Sequence, residues 1–467
     1  MVVENIAFNE LMKLAGWHGK YDDEVTITGH DPVMATGFHV GEVTAGIHAA
    51  CGVAISKLWE LKTLRRQQVA IDVRAATASV LSVSNLKING EERSRQQQTK
   101  TITYSPYNTG YKKTRDGRWF YVHFYGSQRV LKLLKCENNP ESVPDAVASW
   151  DAQTLEDAIA EAGLCGAIAR SGEEWAKHPQ GIALQKLPVV EVIKIGNSLP
   201  EPLPPGNQPL SGIRVLDLTV ILAGPTCART LAEHGADVLK IGSPGRQDGP
   251  MFDMDTGHGK RSAFLNLQEN HDQERLWSLI READIFSQSY RYGALASIGF
   301  SPEALAKARP GIIYTSINCY GHEGPWRERR GWESEAQTVS GIAYEQGNGK
   351  AEMVHGAIDD YPTGYEAAFG TLVALERRAR EGGSYLVRVS LTQNAMWLYR
   401  LGRIAREKWQ GLDRPSVEEI SRLSIDTETA WGRLTHLAPV LKLSETPPRW
   451  TLPTAPLGTH QPVWLDR

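Results

Sequence analysis

The residues best suited to chemistry in this chain are two adjacent acids in AIDDYPTGYEAAFG, residues 357–370. Asp359 and Asp360 precede Pro362, Thr363 and Gly364, and a run of small residues follows. Read from the residues alone this is a helix start, because proline is favoured in the first turn and acids there are favoured by the helix dipole. The same position holds a carboxylate at the positive end of a helix, where it can act as a nucleophile toward an activated carbonyl. The residue types leave both readings open.

Other chemistry-bearing patterns are excluded more easily. The five cysteines, at 51, 136, 165, 227 and 319, are scattered, odd in number and free of CxxC or Cys/His clustering, so no disulfide framework or zinc site is expected. A reducing compartment fits them. With 41% hydrophobic residues, 22% charged residues and a net charge of -3, bulk charge points to neither a nucleic acid nor an anionic membrane. The N-terminus lacks a signal-like apolar core, no run of about 18 apolar residues occurs, and the closing LDR is not a peroxisomal address. The expectation is a cytoplasmic protein.

The length of 467 residues suggests two or three domains. SLPEPLPPGNQPLSG, residues 198–212, is a proline-rich linker, and EERSRQQQTKT at 91–101 is a solvated loop. Beyond the linker, IRVLDL (213–218), ADVLKI (236–241), SAFLNL (262–267), ADIFSQS (283–289) and GIIYTSI (311–317) alternate with helix-length stretches. That rhythm predicts an α/β fold with a Rossmann-like, mostly parallel sheet flanked by helices. Ligands of such sheets bind at the carboxyl ends of the strands. The first turn, TVILAGPTCART, has no GxGxxG, which excludes a nicotinamide or flavin dehydrogenase.

An internal echo links the two halves. EVTAGIHAACG (42–52) lies over DYPTGYEAAFG (360–370) at an offset of 318 residues (360 − 42), and VAIDV (69–73) then falls on VRVSL (387–391). A helix followed by a strand at one spacing twice suggests duplication. The first copy has Glu42 at the acidic position, with Ala45 where the second has Thr363, so Glu42 reads as a surface or capping residue.

The ordered set SGIRVLDLTVILAGPTCARTLAEHGADVLKI (211–241), GKRSAFLNL (259–267), YGALASIGFSPEAL (292–305), PGIIYTSINCYGHEGPW (310–326), AIDDYPTGYEAAFG and GGSYLVRVSL (382–391) resembles the class III CoA-transferases of the CaiB/BaiF type, a family that includes formyl-CoA transferases and α-methylacyl-CoA racemases. SPYNTGYKKTRDGRWFYVHFYG (105–126) and GAIARSGEEWAKHPQGIALQKLP (166–188) are similar to segments that follow the nucleotide-fold half in that family, so the halves stand in an unusual order. The resemblance implies a partial transferase-like module at 1–197 including a smaller α+β domain, the linker at 198–212, a Rossmann-like domain with the nucleophilic acid at 213–403, and a tail at 404–467 packing on the fold. It also implies a homodimer, in that family interlocked, and leaves open whether the small domain pairs within the chain or across it.

The family's nucleophile has the spacing D-x-x-T-G, which here selects Asp360 with Thr363 and Gly364, leaving Asp359 structural. The implied reaction moves CoA from an acyl-CoA thioester to a free carboxylic acid through an aspartyl anhydride and an aspartyl-CoA thioester, with no tightly bound cofactor and no metal. For CoA contacts the resemblance points to Ala223, Gly224, Pro225, Lys260, Arg261, Arg291 and Tyr320; the first three also read as a tight strand-to-helix connection, and Lys260 and Arg261 as a solvated loop. Gly242, Ser243 and Ser297 depart from common family residues, with Arg246 as a compensating cation. The glycines near Gly364 and the loop Tyr107 to Gly110 are oxyanion candidates. Two alternatives stand beside the transferase: a racemase, weakened by Trp332 and Glu333 where that branch has His and Asp, with His322 read as an orienting or packing residue, and a catalytically silent CoA-binding protein.

Overall fold

The computed structural model describes residues 5–92, 109–123, 127–245 and 249–466. The apolar β-rich runs after the linker form strands buried on both faces, as a sheet covered by helices requires. The strands that matter are β1 (Val25–Thr28), β2 (Val69–Asp72), β3 (Glu191–Gly196), β4 (Arg214–Leu218), β5 (Asp237–Gly242), β6 (Lys260–Phe264), β7 (Ile285–Gln288), β8 (Ile313–Asn318) and β9 (Ser384–Ser390). The main sheet runs β6-β5-β4-β7-β8-β9-β3, parallel throughout except for the antiparallel edge strand β3. The α/β expectation holds, and the strand predicted at 262–267 sits two residues earlier, as Lys260–Phe264.

In this order the chain moves outward from β4 to β6, then returns to β7 on the other side of β4. The strand ends of β4 and β7 therefore splay apart and leave a crevice at their carboxyl ends. The helices that matter are α1 (Val40–Thr63), α2 (Val73–Ser79), α3 (Ala223–Glu233), α4 (Glu333–Ser340), α5 (Asp360–Glu381) and α6 (Leu391–Arg400). A smaller α+β unit has the sheet Gly110–Lys113, Trp119–Val122 and Gly166–Ile168 and its own core of Phe120, Val122, Val130, Leu155 and Ile159.

The internal echo recurs in the fold. β1-α1-β2-α2 and β8-α5-β9-α6 are the same strand-helix-strand-helix unit, with β1 parallel to β2 and β8 parallel to β9. Close contacts repeat in register: a Cβ on Gly52 would lie 2.4 Å from Val69, and one on Gly370 would lie 2.7 Å from Val387, both residues 318 positions on. The caps repeat too. Asp72 accepts from Ala75 N–H, and Ser390 accepts from Gln393 N–H, again at the same offset. From the tail, Lys442–Leu443 pairs with β2, and the hairpin Ser424–Thr429/Gly432–Leu437 pairs with Lys87–Ile88.

Candidate active site

Asp360 is the first residue of α5, and a second helix start meets it there. Helix α3 opens at Ala223, whose backbone N–H acts on the Asp360 carboxyl. Gly364 allows this approach, since a Cβ there would lie 2.5 Å from the Ala223 carbonyl oxygen and 2.7 Å from Thr226 Cβ. Gly224 meets a similar limit, with an added Cβ 2.4 Å from Thr219 Cβ. The small residues on both turns thus bring the positive ends of two helices around one carboxyl.

Glu333 supports the same point from below. Its carboxylate accepts the Asp360 N–H at 2.6 Å and the Asp359 N–H at 3.0 Å, and also the Gln337 side-chain amide at 2.7 Å. It satisfies helix-start donors that Asp359, the residue at the cap position, leaves free. Asp359 turns away, accepting from Asn394 Nδ2 at 2.8 Å. Three carboxyls now share one dry patch and cannot all be ionised. Burial, with the Glu333 charge second, pushes Asp360 and Asp359 well above the usual carboxylate range, and burial pushes Glu333 up to about 7.

Asp360 opens onto a cavity of about 310 Å³ at the crevice between β4 and β7. Val220, Ile221, Ala223 and Gly224 line the cavity with Ser289 to Arg291 and Arg329 to Trp332, and Arg129 with Gly163 to Cys165 reach in from the small α+β unit. Asp360 is the one acid among the described lining residues, and no histidine is among them. The small unit therefore covers the cavity from within the same chain.

The sequence-derived candidates divide accordingly. Ala223, Gly224 and Arg291 line the cavity with Asp360, whereas Pro225, Lys260, Arg261 and Tyr320 do not. Lys260 is not a solvated cation: it is fully buried, bonded to Asp217 Oδ2 at 2.9 Å and to the Pro225 carbonyl at 2.8 Å, and so ties β6 to the first turn. Burial brings its ammonium down to about 8. Arg261 is likewise engaged, with Asp237 at 2.9 Å and the Val463 carbonyl at 2.6 Å, which pins the tail. Tyr320 is buried edge-on against Trp326. His322 bonds Ser316 Oγ at 2.9 Å, and burial brings it down to about 3, so it stays neutral. Gly364 is packed on α3 and Gly110 begins a strand outside the cavity lining, while Tyr107 and Arg246 lie outside the described residues.

Glu42 sits at the start of α1, away from the cavity. His39 Nδ1 lies 2.6 Å from its Oε2, and Asp31 Oδ2 accepts its backbone N–H at 2.8 Å. Sequence reasoning missed Glu333 as the support of Asp360, and Arg129, Cys165 and Arg330 as cavity residues. No local pattern ties Glu333 to an amide 27 positions away, and none announces that the small unit folds over the strand ends.

Comparison with known proteins adds the following. Residues 210–411 match CoA-transferase family III. The chain is 34% identical to the acetyl-coenzyme A transferase nodX of Hypoxylon pulicicidum, over 65% of this chain and 56% of that protein. It is 28% identical to an acyl-CoA transferase of Gibberella moniliformis, over 90% of this chain and 87% of that one. The succinyl-CoA–L-malate CoA-transferase beta subunit of Chloroflexus aurantiacus matches at 34%, over 38% of this chain and 48% of its own length. Among solved structures, a CAIB/BAIF family protein from Brucella suis aligns at 27% identity and a TM-score of 0.39, covering 49% of this chain and 65% of that one. The chain thus spans little more than half of the first of these relatives.

Proposed function

With residues 210–411 matching CoA-transferase family III, we propose that the chain is an enzyme that moves CoA from an acyl-CoA thioester to a free carboxylic acid, with Asp360 as its nucleophile. The observation that carries this reading is the lone carboxyl at the crevice, desolvated and flanked by two helix N-termini. A dry carboxylate loses the hydration that blunts it in water, and helix-end amides suit the oxyanions formed at each step.

The Asp360 carboxylate attacks the thioester carbonyl, the carbon–sulfur bond breaks, and CoA thiolate leaves a mixed anhydride. Thiolate then attacks the aspartyl carbonyl, releasing the donor acid and forming an aspartyl-CoA thioester. The acceptor carboxylate attacks that thioester and expels thiolate, which takes the acceptor acyl group and restores Asp360. The steps consume no proton, metal or redox equivalent, and CoA and acyl-CoA enter as substrates. Arg291, Ala223 and Gly224 serve the CoA end of the cavity.

The homodimer implied by the resemblance belongs to this proposal and is read by sedimentation. Arg129 and Cys165 of the small unit line the same cavity as Asp360, which supports a catalytic unit built within each chain. Among the described residues no helix is long and apolar enough to cross a membrane. α-Proton exchange, the racemase reaction, finds no histidine base in the described cavity lining. The test is hydroxylamine trapping: incubation with acyl-CoA yields a hydroxamate on Asp360 detectable by mass spectrometry, and no adduct across a broad donor panel would sink the transferase reading.

A further inference from the structure

The cavity before Asp360 holds far more positive than negative charge. Arg129, Arg291, Arg329 and Arg330 line it against the single carboxyl of Asp360. Two of these guanidiniums are committed. Arg329 pairs with Asp157 at 3.4 Å and lies over the Trp326 ring, and Arg129 donates to the Ala162 carbonyl. Arg291 and Arg330 are exposed, and neither guanidinium has an ion pair or hydrogen bond among the described residues. A free guanidinium on a cavity wall is a fork waiting for a carboxylate or phosphate.

The two occupy different segments. Arg291 follows the end of β7, beside Ser289, whose hydroxyl accepts the Val220 N–H at 2.9 Å; that is the strand-end turn where the CoA phosphates belong. Arg330 stands three residues before Glu333, the residue that grips the Asp360 amide at 2.6 Å. Three residues span at most about 11 Å, so Arg330 is tethered to the reacting carboxyl. Arg330 shares the cavity lining with Cys165 of the small unit. The same wall carries apolar side chains, Leu164, Ile317, Trp332 and Leu391, which suit a short carbon chain.

We propose that the acyl group exchanged at Asp360 is that of a short dicarboxylic acid, and that Arg330 pairs with the carboxylate distal to the reacting one. The proposal rests on the transferase reading, because that reading puts the acyl carbonyl at Asp360. It makes Arg330 a specificity residue and Arg291 a holder of the CoA phosphates.

Succinyl-CoA and butyryl-CoA, equal in acyl carbon count and differing in a distal carboxylate or methyl, are titrated calorimetrically into the Asp360→Ala protein. Succinyl-CoA binds about tenfold tighter or more, the low end for a charge-assisted hydrogen bond. Adding Arg330→Gln brings the ratio of the two affinities to about one, whereas adding Arg291→Gln weakens both esters by a common factor and leaves the ratio. Equal affinities in Asp360→Ala, a ratio that survives Arg330→Gln, or a common loss for both esters on Arg330→Gln, each overturns the proposal; the last would give Arg330 to a CoA phosphate. Should Arg330→Gln fail to fold, Arg330→Lys, which keeps the charge and loses the fork, is expected to retain a reduced ratio. These are binding measurements on a protein without its nucleophile. A wild-type protein that discriminates by charge yet traps no hydroxamate would remove the transferase reading while leaving the anion preference.

Discussion

The helix starting at Val40 and the helix starting at Asp360 belong to two copies of one unit, and of the two acids at their starts Asp360 lines the 310 Å³ cavity while Glu42 does not. Residues 29–39 join β1 to α1 in the first copy, whereas residues 319–359 join β8 to α5 in the second. The short connection leaves Glu42 half-buried and paired with His39 at 2.6 Å. The long one carries Arg330, Trp332 and Glu333, folds α4 under the helix start, and encloses Asp360. A strand-helix-strand scaffold gives a helix-end acid in both; the connection decides whether that acid is dry, free of a cation and open to substrate.

The largest break in this comparison is removal of the acids themselves. Asp360→Ala is expected to lower CoA exchange by about 10⁴-fold or more, as for loss of a covalent nucleophile, while Glu42→Ala stays within about twofold. A matched loss in Glu42→Ala would make the two helix starts equivalent and the comparison empty. Next is the support. Glu333→Ala orphans the buried amides of Asp359 and Asp360, at about 1–3 kcal/mol each, read in chemical denaturation together with kcat.

The charge of Glu333 has a separate signature. Its negative charge helps raise Asp360, so Glu333→Gln lowers the Asp360 value and moves the acid limb of kcat/KM to lower pH. Glu333 itself is raised to about 7, so its contribution to stability is present below the ordinary glutamate value of 4.5 and is lost as pH rises through 7. Wild type should lose more stability than Glu333→Gln between pH 5 and 8, and parallel Tm curves would contradict that.

Close packing offers a finer cut. Gly364→Ala and Gly46→Ala occupy the same register, and each added Cβ meets atoms at 2.5 Å or less. Both are expected to destabilise by about 1–3 kcal/mol, but only Gly364→Ala, which moves α3 from Asp360, lowers kcat beyond what lost folded protein explains. The smallest effect is His39→Gln. The His39–Glu42 pair lowers Glu42 and raises His39, so the glutamate part is lost as pH falls below 4.5 and the histidine part as pH rises above 6.5. The loss, about 0.2–1 kcal/mol, is greatest between those values and fades on either side, a bell unlike the one-sided Glu333 curve.

Much of the fold was legible because its signals are local. The strands of the main sheet announce themselves as short apolar runs at βα spacing, and the absence of a glycine-rich dinucleotide turn is equally plain. The duplication was legible as well, because close-packed glycines such as Gly52 and Gly370 leave a mark in the sequence wherever a strand presses on a helix. Lys260 shows the limit. GKRS reads as a basic loop, yet three of its residues begin a buried strand, and the ammonium is held by Asp217, 43 positions away.

The sequence by itself determined a parallel sheet, a helix-start acid with a Thr-Gly pair, and a second, altered copy of that helix, since each depends on neighbours a few residues apart. Only the tertiary structure decided that Asp360 rather than Asp359 faces a cavity, that Glu333 holds its amide, and that Arg129, Cys165 and Arg330 share its wall. Those facts depend on where chain segments far apart in sequence come to rest. Burial, charge coupling and access to substrate belong to that arrangement and to no single stretch of residues.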